Sequence, residues 1–191
     1  MARLIMLPGL GGSGRNHWHT RWEGFEPSAI RLAPASWTAP DLTDWIAALD
    51  RAAAEGGEPL VLVAHSMACL LVAHWAKARP IGACGAVLVA PPDEASPHYP
   101  PEAASFARAP VEPLPFPSLV VASADDPYCP LPVARRLANQ WGAGFVDMGA
   151  LGHINAASGL GDWPEGWRLL NAFRAGLAAP TLARVGPDPR A

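Results

Sequence analysis

The stretch Leu60-Val-Leu-Val-Ala-His-Ser66-Met-Ala-Cys-Leu-Leu-Val-Ala-His-Trp-Ala76 decides how this chain is read. Its first five residues are an unbroken apolar run with the length and β-branched content of a strand buried on both faces, and the residues after Ser66 continue as an apolar helix. A serine at such a junction stands where a tight strand-to-helix turn lifts a hydroxyl out of the backbone. Residues two before and two after it must be small, which is the reason for the usual G-x-S-x-G pattern. Here those positions are Ala64 and Ala68. The alternative reading makes Ser66 an ordinary helix N-cap.

Outward from this segment, short apolar runs alternate with helix-like stretches. Arg3–Leu7, Leu60–Ala64, Ala86–Ala90 and Ser118–Ser123 read as buried parallel strands, with Ser28–Ala33 and Gly144–Met148 as weaker ones. Helices are predicted over His17–Phe25, Asp41–Ala54, Met67–Arg79, Leu131–Trp141 and Trp163–Leu177, and Asp41 with Asp44 reads as an N-terminal cap. Strand and helix alternating this way predict a doubly wound α/β sheet with right-handed crossovers and active residues beyond the carboxyl ends of the strands. Pro91–Pro117 carries nine prolines and reads as an irregular excursion that forms a short flap. The expected organisation is one domain over 1–178 and a frayed tail over 179–191.

Composition narrows the function. The chain has 191 residues, 50% of them hydrophobic and 16% charged, so it can bury a substantial core and is not of the disordered class. A formal net charge of −3, with no run of Lys or Arg, makes nucleic acid a poor partner. Cys69, Cys84 and Cys129 fit neither a disulfide framework nor a zinc site, and reducing cytoplasm is the expected compartment. Neither Leu4–Leu7 nor the interrupted 60–76 stretch reads as a membrane anchor.

A serine hydroxyl needs a base, and the base needs a group that holds its tautomer. Asp125 and Asp126 follow the fifth predicted strand, and His153 follows the sixth. The order Ser, Asp, His is that of α/β hydrolases. The residues alone do not choose between Asp125 and Asp126, and Asp147, inside the last strand, is a weak rival. His65 is a poor base for Ser66, because adjacent side chains on a strand point to opposite faces, and it is assigned to wall or packing. His74 reads as packing, and His17 and His19 as lining the site mouth at most. Backbone N–H groups of Met67 and Leu10 are expected to bind the oxyanion. Leu10 sits in the loop Pro8-Gly-Leu-Gly-Gly-Ser-Gly14, where Gly9 and Gly11 let backbone approach substrate. That loop also forms a formal GxGxxG, but no acidic residue follows at the end of the second strand in Arg31-Leu-Ala-Pro-Ala-Ser36, so a dinucleotide site is disfavoured.

The chain resembles the small serine hydrolases of the retinoblastoma-binding protein 9 family, in the α/β-hydrolase superfamily. The likeness runs over roughly residues 4–173 and is carried by Leu7-Pro-Gly-Leu-Gly-Gly with His17-Trp18 and Trp22, by Ala64-His-Ser-Met, by Ser123-Ala-Asp-Asp-Pro-Tyr128 and by Gly152-His-Ile-Asn155. It implies a three-layer α/β-hydrolase-like sandwich, with about six mostly parallel strands in the order 2-1-3-4-5-6; the length left above the strand ends, Pro91–Pro117, argues against a large lid. The resemblance implies Ser66 as nucleophile, Asp126 as acid and His153 as base, with no metal or organic cofactor. Ala64 and Ala68 depart from the glycines of the family pattern. Retinoblastoma binding is not carried over, since no L-x-C-x-E sequence is present, and a protein partner stays open. The expected activity is hydrolysis of a small ester, thioester or amide. A catalytically weak binding module on the same fold is the alternative. Loop position marks Leu10, Trp18, Trp37, His98, Tyr99 and Phe116 as candidate walls of the substrate site.

Overall fold

A computed structural model describes residues 2–55, 59–78 and 83–178. The expected tail over 179–191 and Arg79, the last residue of the third predicted helix, lie outside the described residues. Six strands form one sheet: β1 (Arg3–Leu7), β2 (Ile30–Arg31), β3 (Leu60–His65), β4 (Gly85–Val89), β5 (Ser118–Ala122) and β6 (Gly144–Asp147). Their order is β2-β1-β3-β4-β5-β6 and every neighbouring pair runs parallel. The helices are α1 (Trp18–Phe25), α2 (Leu42–Ala54), α3 (Met67–Ala78), α4 (Leu131–Gln140) and α5 (Pro164–Ala178).

Strand periodicity divides the core into two layers. Ile5, Leu7, Leu62, Ala64, Leu88 and Val120 share one face with Trp45 and Leu49 of α2 and the apolar face of α3. Leu4, Met6, Val61, Val63, Val87 and Val121 face the other way, against Trp18 and Trp22 of α1 and Leu170 of α5. Fully burying one such aliphatic side chain is worth about 1.5–3 kcal/mol, and a one-residue slip would exchange the faces of a whole strand, so the register is fixed from both sides.

Asp41 caps α2 by accepting from the Asp44 N–H at 2.9 Å. The second strand is shorter than the expected 28–33: at the edge of the sheet only Ile30 and Arg31 pair with β1, and both are half-buried. The Arg31 guanidinium holds Glu23 at 2.7 Å, the Ser13 carbonyl and the Thr20 hydroxyl, tying α1 to the loop after β1. The proline-rich excursion is irregular apart from one 3₁₀ segment, Pro101–Phe106. His74 packs as expected, 3.1 Å from the Phe106 carbonyl.

Candidate active site

Ser66 stands between β3 and α3 with φ of 57°, a left-handed conformation costly for a residue with a Cβ. Its N–H donates to the Val89 carbonyl at 2.9 Å and its carbonyl accepts from Cys69 N–H at 2.8 Å, so both neighbouring elements hold the turn. Ala64 and Ala68 are fully buried, and the turn is formed with a methyl on either side. Close approach is demanded instead across the sheet. A Cβ on Gly9 would lie 2.9 Å from Ser66 Cβ and 3.0 Å from the His65 carbonyl oxygen.

His153 Nε2 lies 2.8 Å from Ser66 Oγ, and its Nδ1 lies 3.0 and 2.9 Å from the two carboxylate oxygens of Asp126. A carboxylate only accepts, so Nδ1 carries the proton and Nε2 offers its lone pair to the serine hydroxyl. The Asp126 side chain is 3% exposed, and its Oδ1 also accepts from Tyr128 N–H at 2.9 Å. Asp125 points elsewhere, to Ser123 Oγ at 2.8 Å and Gly152 N–H at 2.7 Å. Asp147 is exposed and caps Gly149 N–H, away from the imidazole.

A half-open cavity of about 490 Å³ lies over Ser66, bordered by Gly9, Leu10, Met67, His65, His98, Tyr99 and Tyr128 among others. The Leu10 and Met67 N–H groups donate to no protein acceptor among the described residues, leaving two donors at the cavity wall. Four expected binding residues are corrected. Trp18 is 1% exposed and donates from Nε1 to the Ile154 carbonyl at 2.7 Å, bracing the histidine loop from inside the core. Phe116 belongs to the opposite core layer. Gly11 turns its N–H to the Trp37 carbonyl at 2.8 Å and does not border the cavity; nor does Trp37, which packs on Gly12 and Trp45.

The histidines hold what the sequence reading missed. His65 donates from Nε2 to the His153 carbonyl at 2.9 Å and makes no bond to Ser66. His17 caps α1 through Nδ1, and His19, expected near the mouth, is fully buried against Ser13 Oγ at 3.2 Å. Burial, with Arg31 and His153 nearby, brings the His17 pKa down to about 4, and burial first of all pushes His19 and His65 well below their usual range. Three neutral imidazoles thus back the site. In the unfolded chain each protonates near 6.5. Between pH 6.5 and about 4 the unfolded state therefore binds more protons, and stability falls as pH falls through that window. His17 alone accounts for about 3 kcal/mol across it. Urea unfolding at pH 5.0 is expected to show a clearly lower midpoint than at pH 7.5; equal midpoints would refute the neutral trio.

A family profile described as serine hydrolase matches residues 4–172. The chain belongs to the serine hydrolase family. No curated protein matches it. Among solved structures, a protein from Pectobacterium atrosepticum assigned as a YdeN-like hydrolase is 31% identical, with a TM-score of 0.83 over 93% of this chain and 92% of that one. The ydeN gene product of Bacillus subtilis is 21% identical, with a TM-score of 0.76 over 92% and 100%. A monoacylglycerol lipase from Palaeococcus ferrophilus is 16% identical, with a TM-score of 0.69 over 92% and 93%. The fold of this serine hydrolase is that of the α/β hydrolases, and the chain is a hydrolase. No helix among the described residues is long and apolar enough to cross a membrane.

Proposed function

We propose that this hydrolase cleaves a small ester, thioester or amide through an acyl-enzyme on Ser66. The observation that carries the reading is the continuous hydrogen-bonded line from Ser66 Oγ through His153 to Asp126, at 2.8 and 2.9 Å. As Ser66 Oγ attacks the carbonyl carbon, its proton passes to His153 Nε2, and Asp126 stabilises the resulting imidazolium. The developing oxyanion takes the free N–H groups of Leu10 and Met67. Collapse breaks the bond to the leaving group, which departs with the proton from His153. Water then repeats the sequence on the acyl-enzyme and releases the acid.

The cavity volume falls within the range of small-molecule sites, and among the described residues no Asp, Glu, Lys or Arg borders it, which favours small uncharged acyl groups. The motifs shared with the retinoblastoma-binding protein 9 branch support placing the chain near it, and three free cysteines suit a reducing cytoplasm. A fluorophosphonate probe tests the proposal. Wild type is expected to label and Ser66→Ala to lose labelling. An unlabelled wild type, or undiminished labelling of Ser66→Ala, would overturn it.

A further inference from the structure

The Asp125-Asp126 pair puts two carboxylates side by side, and only Asp126 touches the imidazole. Asp125 is solvent-exposed, yet its Oδ1 takes two donors, the Gly152 N–H at 2.7 Å and the Ser123 hydroxyl at 2.8 Å. Ser123 is 1% exposed, and its Oγ accepts the Leu151 N–H at 2.9 Å. A hydroxyl has a single proton, so donating it to Asp125 leaves the oxygen free to accept from Leu151. The chain of bonds runs from Leu151 N–H to Ser123 to Asp125, with Gly152 N–H closing onto the same carboxylate oxygen. Two consecutive backbone donors, immediately before His153, are fixed by the end of β5.

The loop they anchor carries one strained residue, Ile154, next to a glycine that adopts such a φ at little cost. Gly152 and Ile154, on either side of His153, have φ of 58° and 48°, and a β-branched residue in that region is held there only by its surroundings. The carbonyl side is held too: His65 takes the His153 carbonyl, Trp18 the Ile154 carbonyl at 2.7 Å, and the Ser158 hydroxyl the Leu151 carbonyl at 2.6 Å. On the N–H side the Ser123–Asp125 relay does the holding. Its bonds also keep the Asp125 carboxyl below the usual carboxylate range, Ser123 contributing first.

We propose that Asp125 is a positioning residue, a hydrogen-bond latch that acts through Ser123 and the Gly152 N–H to set the loop carrying His153 at the distance at which Nε2 meets Ser66 Oγ. This rests on His153 being the base. The role belongs chiefly to the acceptor oxygen rather than to the negative charge, because both donors are neutral groups from which an amide oxygen would also accept, though less strongly than the carboxylate. Misplacing a base by about an ångström can cost on the order of a hundredfold in rate, and loosening one of several tethers costs less.

The test uses the full chain and p-nitrophenyl butyrate. Asp125→Ala is expected to lower kcat about tenfold with KM within about twofold. Ser123→Ala, which cuts the same relay at its buried end, is expected to give a similar loss. The double variant should be scarcely worse than either, since the two act as one unit. Asp125→Asn, which keeps the acceptor, is expected to recover most of the loss. Thermal midpoints and the Ser66→Ala variant are measured alongside. If Asp125→Ala keeps wild-type kcat, or if Asp125→Asn is as impaired as Asp125→Ala, the latch is refuted, whereas the nucleophile reading fails only if Ser66→Ala keeps its activity.

Discussion

Asp126→Asn is expected to lower kcat by about 10⁴-fold while leaving the fold and KM nearly unchanged. The size of the loss follows from where the amide nitrogen must go. Tyr128 N–H donates to Asp126 Oδ1 at 2.9 Å, so the oxygen of an asparagine stays on that side. Its NH₂ group then occupies the Oδ2 position, 2.9 Å from His153 Nδ1. That NH₂ is a donor facing Nδ1 and competes with the retained Oδ1 acceptor at 3.0 Å, which shifts the imidazole towards the tautomer with its proton on Nε2 and no lone pair for the Ser66 hydroxyl. The imidazolium formed during attack also loses its counter-charge. Steady-state kinetics on p-nitrophenyl butyrate reads the effect, and a loss below tenfold would show that the acceptor oxygen 3.0 Å from Nδ1 holds the tautomer without the carboxylate charge. The neighbouring Asp125→Asn changes the same functional group by the same atom and should cost little. The contrast separates a carboxylate whose charge acts on the base from one whose oxygen acts on a loop.

That contrast marks the point at which the residues alone stopped being informative. Strands buried on both faces write continuous apolar runs, and β1, β3, β4 and β5 are legible for that reason. At the sheet edge burial is one-sided or lost. Thus β2 shrinks to two paired residues, Ile30 and Arg31, and β6 carries no fully buried side chain. The serine, the Asp125-Asp126 pair and the histidine are legible because parallel topology puts every strand's carboxyl end on one side of the sheet, so order along the chain predicts proximity, while the choice of Asp126 within the pair came from the family resemblance. Direction within a loop is not written locally. Trp18 and Phe116 have the composition of substrate walls, but the packing of α1 against β3 and of the excursion against α3 turns them inward. The roles of His17, His19 and His65 depend on contacts between segments about fifty to ninety positions apart, and a lone histidine carries no mark of such a partner. The spacing His17-x-His19 together with His65 beside the serine was the one available signal, and spacing does not reveal that the three converge.

Gly9→Ala is expected to lower kcat by about 10²- to 10³-fold, the loss typical of one missing oxyanion donor. Neither donor can be removed by trimming a side chain, because the Leu10 and Met67 groups are backbone N–H. Gly9 offers the indirect route. Its missing Cβ is what allows β1 to end against the serine turn: a methyl there would sit 2.9 Å from Ser66 Cβ and 3.0 Å from the His65 carbonyl oxygen. The carbonyl is main chain and Ser66 is held in a left-handed turn by Val89 and Cys69, so neither yields cheaply. The loop after β1 has fewer tethers at this point. The Gly11 N–H to the Trp37 carbonyl and the Gly12 N–H to the Gly9 carbonyl are its nearest bonds, so the displacement falls on Gly9 and Leu10 and swings the Leu10 N–H away from the oxyanion. Substrate binding depends less on that donor than does the transition state, so kcat should fall further than KM rises. Fluorophosphonate labelling should slow in parallel, because the phosphoryl oxygen needs the same donors. Gly24→Ala serves as the control, since a Cβ at Gly24 meets nothing within 4 Å. If Gly9→Ala retains wild-type kcat with an unchanged thermal midpoint, the loop after β1 does not supply the second donor, and the oxyanion site must be sought around Met67 alone.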